Sequence, residues 1–193
     1  MLLELKKEQG RVLIELARQA IEKIWNGSFP VKEHKEPWLQ KDGAVFVTLM
    51  MDGELRGCVG STEAYRPLKE DIETNAVAAA FNDSRFSPLE KDDWPRVNVE
   101  VSYLSKTEKM KFGSEEEAVS QLRPNLDGLI FQCGSRKSTF LPQVWGKLPK
   151  PITFFRELKQ KAGFRPDFWS EEISLYRYSV QKWCETEFLD GKE

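Results

Sequence analysis

An α+β fold, with a mainly antiparallel or mixed sheet flanked by helices, is the class that this sequence predicts, and three observations carry it. Val97, Val99, Val101 and Tyr103 alternate with Asn98, Glu100 and Ser102, the two-residue period of a half-buried strand. Short apolar or β-branched runs flank Asp52-Gly53 and Gly134-Ser135, as in two hairpins. Longer stretches with apolar residues every three or four positions are interspersed among these strands as helices, without the strict alternation of a βαβ series.

In chain order, Leu5, Leu13, Leu16, Ala17, Ala20, Ile21 and Ile24 mark an amphipathic helix from Glu4 to about Trp25, and Asn26-Gly27 tolerates the backbone angles that end it. The segment to Gly43, with Pro30 and Pro37, reads as an irregular surface connection, and His34 as an exposed loop histidine. Ala44 to Met50 and Leu55 to Gly60 form the first hairpin. Pro67 suits a first helical turn, and Leu68, Ile72, Ala76, Ala79 and Ala80 continue a stripe whose alanines imply close packing on a sheet. Asp83-Ser84-Arg85-Phe86-Ser87-Pro88-Leu89 is a polar loop leading to the strand at Val97. Ser114-Glu115-Glu116-Glu117 matches a capping box before a short helix that ends near Leu122. Leu129 to Cys133 and Ser138 to Leu141 make the second hairpin; Phe154, Phe155, Leu158 and Ala162 make a helix stopped by Gly163. Ile173 to Val180 reads as a last strand. Of the aromatic residues, Trp145, beside Pro142 and Gln143, is the one expected to line a cavity. With no repeat, low-complexity tract or linker, residues 1–193 are expected to form a single domain with no separable second domain.

Composition narrows the function classes. The chain has 29 basic and 31 acidic side chains, a net charge of -2 that gives no field toward nucleic acid, and no basic stripe with interleaved aromatics appears. No stretch approaches the roughly 20 apolar residues that span a bilayer, and the N-terminus lacks a signal-peptide pattern, so a cytoplasmic protein without membrane association is expected. Cys58, Cys133 and Cys184 are odd in number and far apart, which argues against a disulfide framework; with one histidine they offer no metal-ligand set, and no cofactor is expected.

The stretch Leu55-Arg56-Gly57-Cys58-Val59-Gly60 concentrates chemistry. In a regular strand Arg56, Cys58 and Gly60 share one face, which puts a guanidinium beside a thiol and favours the reactive thiolate. Gly57 and Gly60 leave room for a bend or a ligand. Ser61, before the helix at Pro67, together with Arg56 and Arg66, suits an anion. Asp83, Ser84 and Arg85 read either as a capping cluster or as a second wall of the pocket, and Glu100 either as a solvated residue or as one facing the site. The plainer alternative makes Cys58 a small buried hydrophobe. Cys133 and Cys184 read as structural thiols. No histidine lies near Cys58 in sequence, which weighs against a cysteine hydrolase.

Four ordered blocks, Leu55 to Gly60, Tyr65-Arg66-Pro67-Leu68, Asp83 to Leu89 and Thr139-Phe140-Leu141-Pro142-Gln143-Val144-Trp145, resemble the AMMECR domain family, known in prokaryotes as protein A of the AmmeMemoRadiSam system. The resemblance spans about residues 13–183. It implies a larger and a smaller subdomain, a cleft faced by the Arg-Gly-Cys segment, and partnership with a Memo-like protein and a radical SAM enzyme; it implies no settled reaction. The best expectation is a small-molecule-modifying enzyme or enzyme subunit acting on an anionic substrate, with Cys58 and Arg56 as the catalytic pair and Gly57, Gly60, Ser61, Asp83, Ser84, Arg85, Glu100 and Gln143 binding substrate. The alternative is a non-catalytic ligand-binding or adaptor module.

Overall fold

The structure, a computed structural model, describes residues 5–27, 30 and 32–188. The helix start expected at Glu4 lies outside them. The chain divides into two compact units, one built from the residues up to Leu104 and from Gln181 onward, the other from Ser105–Val180.

The first unit contains α1 (Lys7–Asn26), β1 (Ala44–Met51), β2 (Glu54–Gly60), α2 (Leu68–Phe81), β3 (Val97–Leu104) and β8 (Val180–Cys184), with the strands in the order β2-β1-β3-β8. The predicted period appears directly in the packing. Val45, Val47 and Leu49 of β1 and Val99 and Val101 of β3 are fully buried against Leu13, Ala17 and Ile21 of α1 and Ile72 and Ala76 of α2. Each such side chain contributes about 1.5–3 kcal/mol of burial. The other face of the sheet carries Phe46, Thr48, Met50 and Glu100, all half-buried. At the start of α1 the Gln9 side chain accepts from the Lys6 amide at 2.9 Å, satisfying a donor that a helix start leaves orphaned; Gly27, at φ +64°, ends the helix. Asp52 and Gly53 both adopt positive φ, as the two central residues of a type I′ hairpin turn require.

The second unit contains β4 (Glu108–Lys109), α3 (Glu115–Ser120), β5 (Gly128–Cys133), β6 (Arg136–Phe140), α4 (Pro151–Lys161) and β7 (Ser174–Tyr178), with the strands in the order β4-β7-β5-β6. Ser114 caps α3 by accepting from the Glu117 amide. The core is aromatic, with Phe131, Phe154 and Phe155 fully buried. Trp145, expected at a cavity, is a core residue instead: its ring stacks on Phe154 at 3.8 Å, and its Nε1 donates to the Asp127 carbonyl at 2.7 Å. Both polar and apolar parts of the indole are thereby satisfied without a ligand.

The α+β class stands, in the form of two antiparallel sheets. The single last strand does not. The chain breaks at Ser179, so that β7 joins the second sheet and β8 joins the first; the alternation from Ile173 onward hid the crossing, because a strand changing sheets keeps its two-residue period. Trp183 on β8 lies flat over Gly10 of α1, where any side chain at residue 10 would collide with the indole.

Candidate functional site

The hairpin of β1 and β2 is irregular at one point. Met51 pairs with Glu54 and Met50 with Leu55, but Leu49 pairs with Gly57 and Thr48 with Cys58, so Arg56 is the extra residue of a β-bulge. Continued without the bulge, the register would set Cys58 opposite core-facing Val47. The bulge instead sets it opposite Thr48 on the face away from the helices, with Gly57 turned toward Ala79 of α2.

Cys58 is half-buried, and the Thr48 hydroxyl donates to its Sγ at 3.2 Å, a bond that a thiolate accepts better than a thiol. β2 is an edge strand, and the outward backbone groups of Cys58 are captured by a side-chain clamp. The Cys58 amide donates to Asp83 Oδ2 at 2.8 Å, and Arg85 Nη2 donates to the Cys58 carbonyl at 3.1 Å. Arg85 also grips Asp83 through Nε and Nη2, at 2.9 and 2.7 Å. The guanidinium holds the buried Asp83 carboxyl well below the usual carboxylate range, with the Cys58 and Arg85 amides adding to the effect. In return Asp83 holds Arg85 more firmly protonated, and the Cys58 side chain contributes in smaller part.

The cation that addresses Cys58 is therefore Arg85 rather than Arg56. Displaced by the bulge, Arg56 donates to the Pro88 carbonyl at 3.3 Å. The structure brings Cys58, Asp83 and Arg85 together, leaves Ser84 exposed beside them, and places Gly60 against the ring of Phe46. Ser61 is buried, and its hydroxyl donates to Asp71 Oδ1 at 2.6 Å while accepting from Asn75, so it serves the internal network of the strand end. Glu100 shares the face of Thr48 but turns toward β8, where it accepts from Lys182 Nζ at 2.7 Å and from Cys184 Sγ at 3.3 Å. Burial, and then the Glu100 carboxylate, push the Cys184 thiol up to about 11, which keeps it protonated. Gln143 is exposed on a short helical turn in the second unit.

His34 is corrected most sharply. It is only 2% exposed, with Nε2 at 3.0 Å from Glu15 of α1 and Nδ1 at 3.2 Å from Glu36, and it sits in the helix layer while Cys58 points from the sheet's other face. Among the described residues no group of three or more His, Cys, Asp or Glu side chains is arranged to hold a metal ion. Thr48 is the residue that sequence reasoning missed. A two-residue turn fixes the register of a regular hairpin, but nothing short of recognising the bulge points to position 48.

Replacing Asp83 by alanine is expected to cost about 2 kcal/mol of stability, because the Cys58 amide loses its acceptor while the exposed Arg85 regains water. The folded carboxyl lies below its unfolded value, so its stabilisation is present above the ordinary aspartate range and disappears as pH falls through the depressed folded value. Urea midpoints measured between about pH 5 and pH 2 should fall less steeply in Asp83→Asn than in the parent chain.

The AMMECR1 family model matches residues 14–183. A protein of Methanothermobacter thermautotrophicus is 35% identical over 184 residues, covering 92% of this chain and 94% of its own length. One from Saccharolobus islandicus is 38% identical over 177 residues, covering 86% of this chain and 76% of the relative. The crystal structure of an uncharacterised protein from Pyrococcus horikoshii superposes with a TM-score of 0.81 at 32% identity, covering 94% of this chain and 93% of that one.

Proposed function

The chain belongs to the AMMECR1 family, and on that premise we propose that it is a small-molecule-modifying enzyme or enzyme subunit whose reactive group is Cys58. The observation that supports this is the setting of the Cys58 sulfur: it accepts from the Thr48 hydroxyl at 3.2 Å, and the outward amide and carbonyl of the same cysteine are held by the Asp83–Arg85 pair. A thiolate there would form a bond to an electrophilic carbon of the substrate as that carbon's bond to its leaving group breaks, with the pair going to the leaving group. Transfer to an acceptor nucleophile then breaks the C–S bond with its pair returning to sulfur, and the Thr48 hydroxyl stabilises the thiolate at both ends. The exposed face of Arg85 suits an anionic group on the substrate. A Memo-like protein and a radical SAM enzyme are the proposed partners, and the cytoplasm the proposed location; no described helix is long and apolar enough to cross a membrane.

The test is competitive alkylation with iodoacetamide at pH 7, read by peptide mass spectrometry for the three cysteines. Cys58 should label fastest, ahead of buried Cys133 and protonated Cys184, and Thr48→Val should slow it about fivefold. Labelling of Cys58 no faster than a small-molecule thiol, with Thr48→Val unchanged, would remove the nucleophile.

A second reading, a non-catalytic ligand-binding or adaptor module, is favoured by one observation: Arg56, Asp83 and Arg85 all bond backbone groups around Cys58, as scaffold residues do. On that reading Cys58→Ser retains capture of the Memo-like protein in a pull-down, whereas Arg85→Glu loses it.

A further inference from the structure

In the helix layer, separate from the Cys58 face, α1 and α2 border a groove of about 970 Å³, within the range of small-molecule sites. Leu16, Ala20 and Ile24, at successive four-residue steps, form the α1 side of its floor, and Val77 and Ala78 of α2 form the other. Eight residues of helix make this strip about 12 Å long. It rises from Leu16, 2% exposed, to Ile24, 56% exposed. An apolar strip that the described residues leave uncovered at its outer end gains free energy from an alkyl group laid on it, at about 25 cal/mol per Å².

The charges around the groove set the sign of what fits. Lys32 is paired with Glu15 at 3.1 Å and Glu33 with Lys35 at 2.9 Å. Lys69 spends its ammonium on the neutral carbonyl of His34, and Lys23 and Glu73 have no partner among the described residues. Lys23 on α1 thus faces Lys69 and Glu73, one turn apart on α2, across an apolar floor, a surplus of one positive charge. We propose that this groove binds an amphipathic carboxylate, its alkyl chain on the strip from Leu16 to Ile24 and its acid group toward Lys23 or Lys69.

The test is isothermal titration of the full chain with decanoate, decyl maltoside and decyltrimethylammonium below their micellar concentrations. Decanoate should bind saturably at one site, and the cationic analogue at least about tenfold more weakly. Ile24→Glu changes an exposed residue, so the fold is retained, as circular dichroism would verify; it should abolish saturable binding, and Lys23→Glu should weaken it about fivefold. Cys58→Ala should bind decanoate as the parent does, which keeps this inference apart from the proposed chemistry at Cys58. Absence of saturable decanoate binding, equal affinity for the three head groups, or binding unaffected by Ile24→Glu would each overturn it. So would sedimentation showing a dimer that Ile24→Glu dissociates, which would make the occupant a second copy of the chain.

Discussion

Gly57→Ala is expected to lower the unfolding free energy by about 3 kcal/mol, a large effect for the addition of one methyl group. A Cβ at position 57 would sit inside the contact distance of the Ala79 carbonyl oxygen, and neither partner has a side chain that can rotate away. The atom it meets is helix backbone. Relief requires α2 to lift from β2, which opens the contacts that Ile72 and Ala76 make with the sheet core. Gly146→Ala is the control: its added Cβ meets nothing within 4 Å and its φ is not positive, so its urea midpoint should stay within the range of about 0.5 kcal/mol typical of neutral surface changes. A Gly57→Ala protein as stable as the control would mean that the helix does not approach the strand at this point. Gly57 is thus explained by close packing of a helix on a strand, and the space beside Cys58 for a ligand owes nothing to it.

That distinction marks how far the sequence could be read. The helices, the two hairpins and the strand at Val97 are legible because each rests on local patterning, and local patterning survived folding. The Asp52-Gly53 turn even sets the register of the first hairpin. One residue beyond local pattern, the reading slips: the bulge at Arg56 costs the sequence no unusual residue, yet it takes Cys58 from the side of Val47 to the side of Thr48, the side that Leu55 opposite Met50 already occupies. Pairing Arg56 with Cys58 relied on unbroken alternation. Pairing Arg85 with Cys58 needs a loop 27 positions away to fold over an edge strand, and no period in the chain encodes that. Two of the four motif blocks hold Cys58, Asp83 and Arg85, whereas Thr48, which donates to the sulfur, lies in none of them. What they could not give is which motif residues touch the sulfur and which hold the frame, because arginine, aspartate and serine suit both tasks.

Asp71→Ala shows the same division on the anion-site reading of Ser61 and Arg66, and is expected to cost about 4 kcal/mol. The Asp71 carboxylate is completely buried and accepts four hydrogen bonds: from the Val45 amide at 2.9 Å, the Ser61 hydroxyl at 2.6 Å, Arg66 Nε at 2.8 Å and Asn75 Nδ2 at 3.0 Å. Truncation strands the Val45 amide and the Ser61 hydroxyl, while Asn75 keeps the Val45 carbonyl at 3.1 Å, and it leaves the Arg66 guanidinium, whose side chain is 16% exposed, without its counter-charge. Asp71→Asn keeps the volume but turns an amide donor toward those donors, so it should recover only part of the loss. Ser61→Ala deletes one arm of the network, retains Asn75 as a partner of Asp71, and should cost about 1 kcal/mol. Because neither residue touches Cys58, the alkylation rate of Cys58 in Ser61→Ala should equal that of the parent while the urea midpoint falls. If Ser61→Ala instead left stability untouched and slowed Cys58, Ser61 would belong to the reactive site and the network would be its support. Coupling of Asp71→Ala with Ser61→Ala in a double-mutant cycle measures that bond directly: the two losses should sum to more than the double variant shows, since removing the acceptor already removes what the hydroxyl contributes.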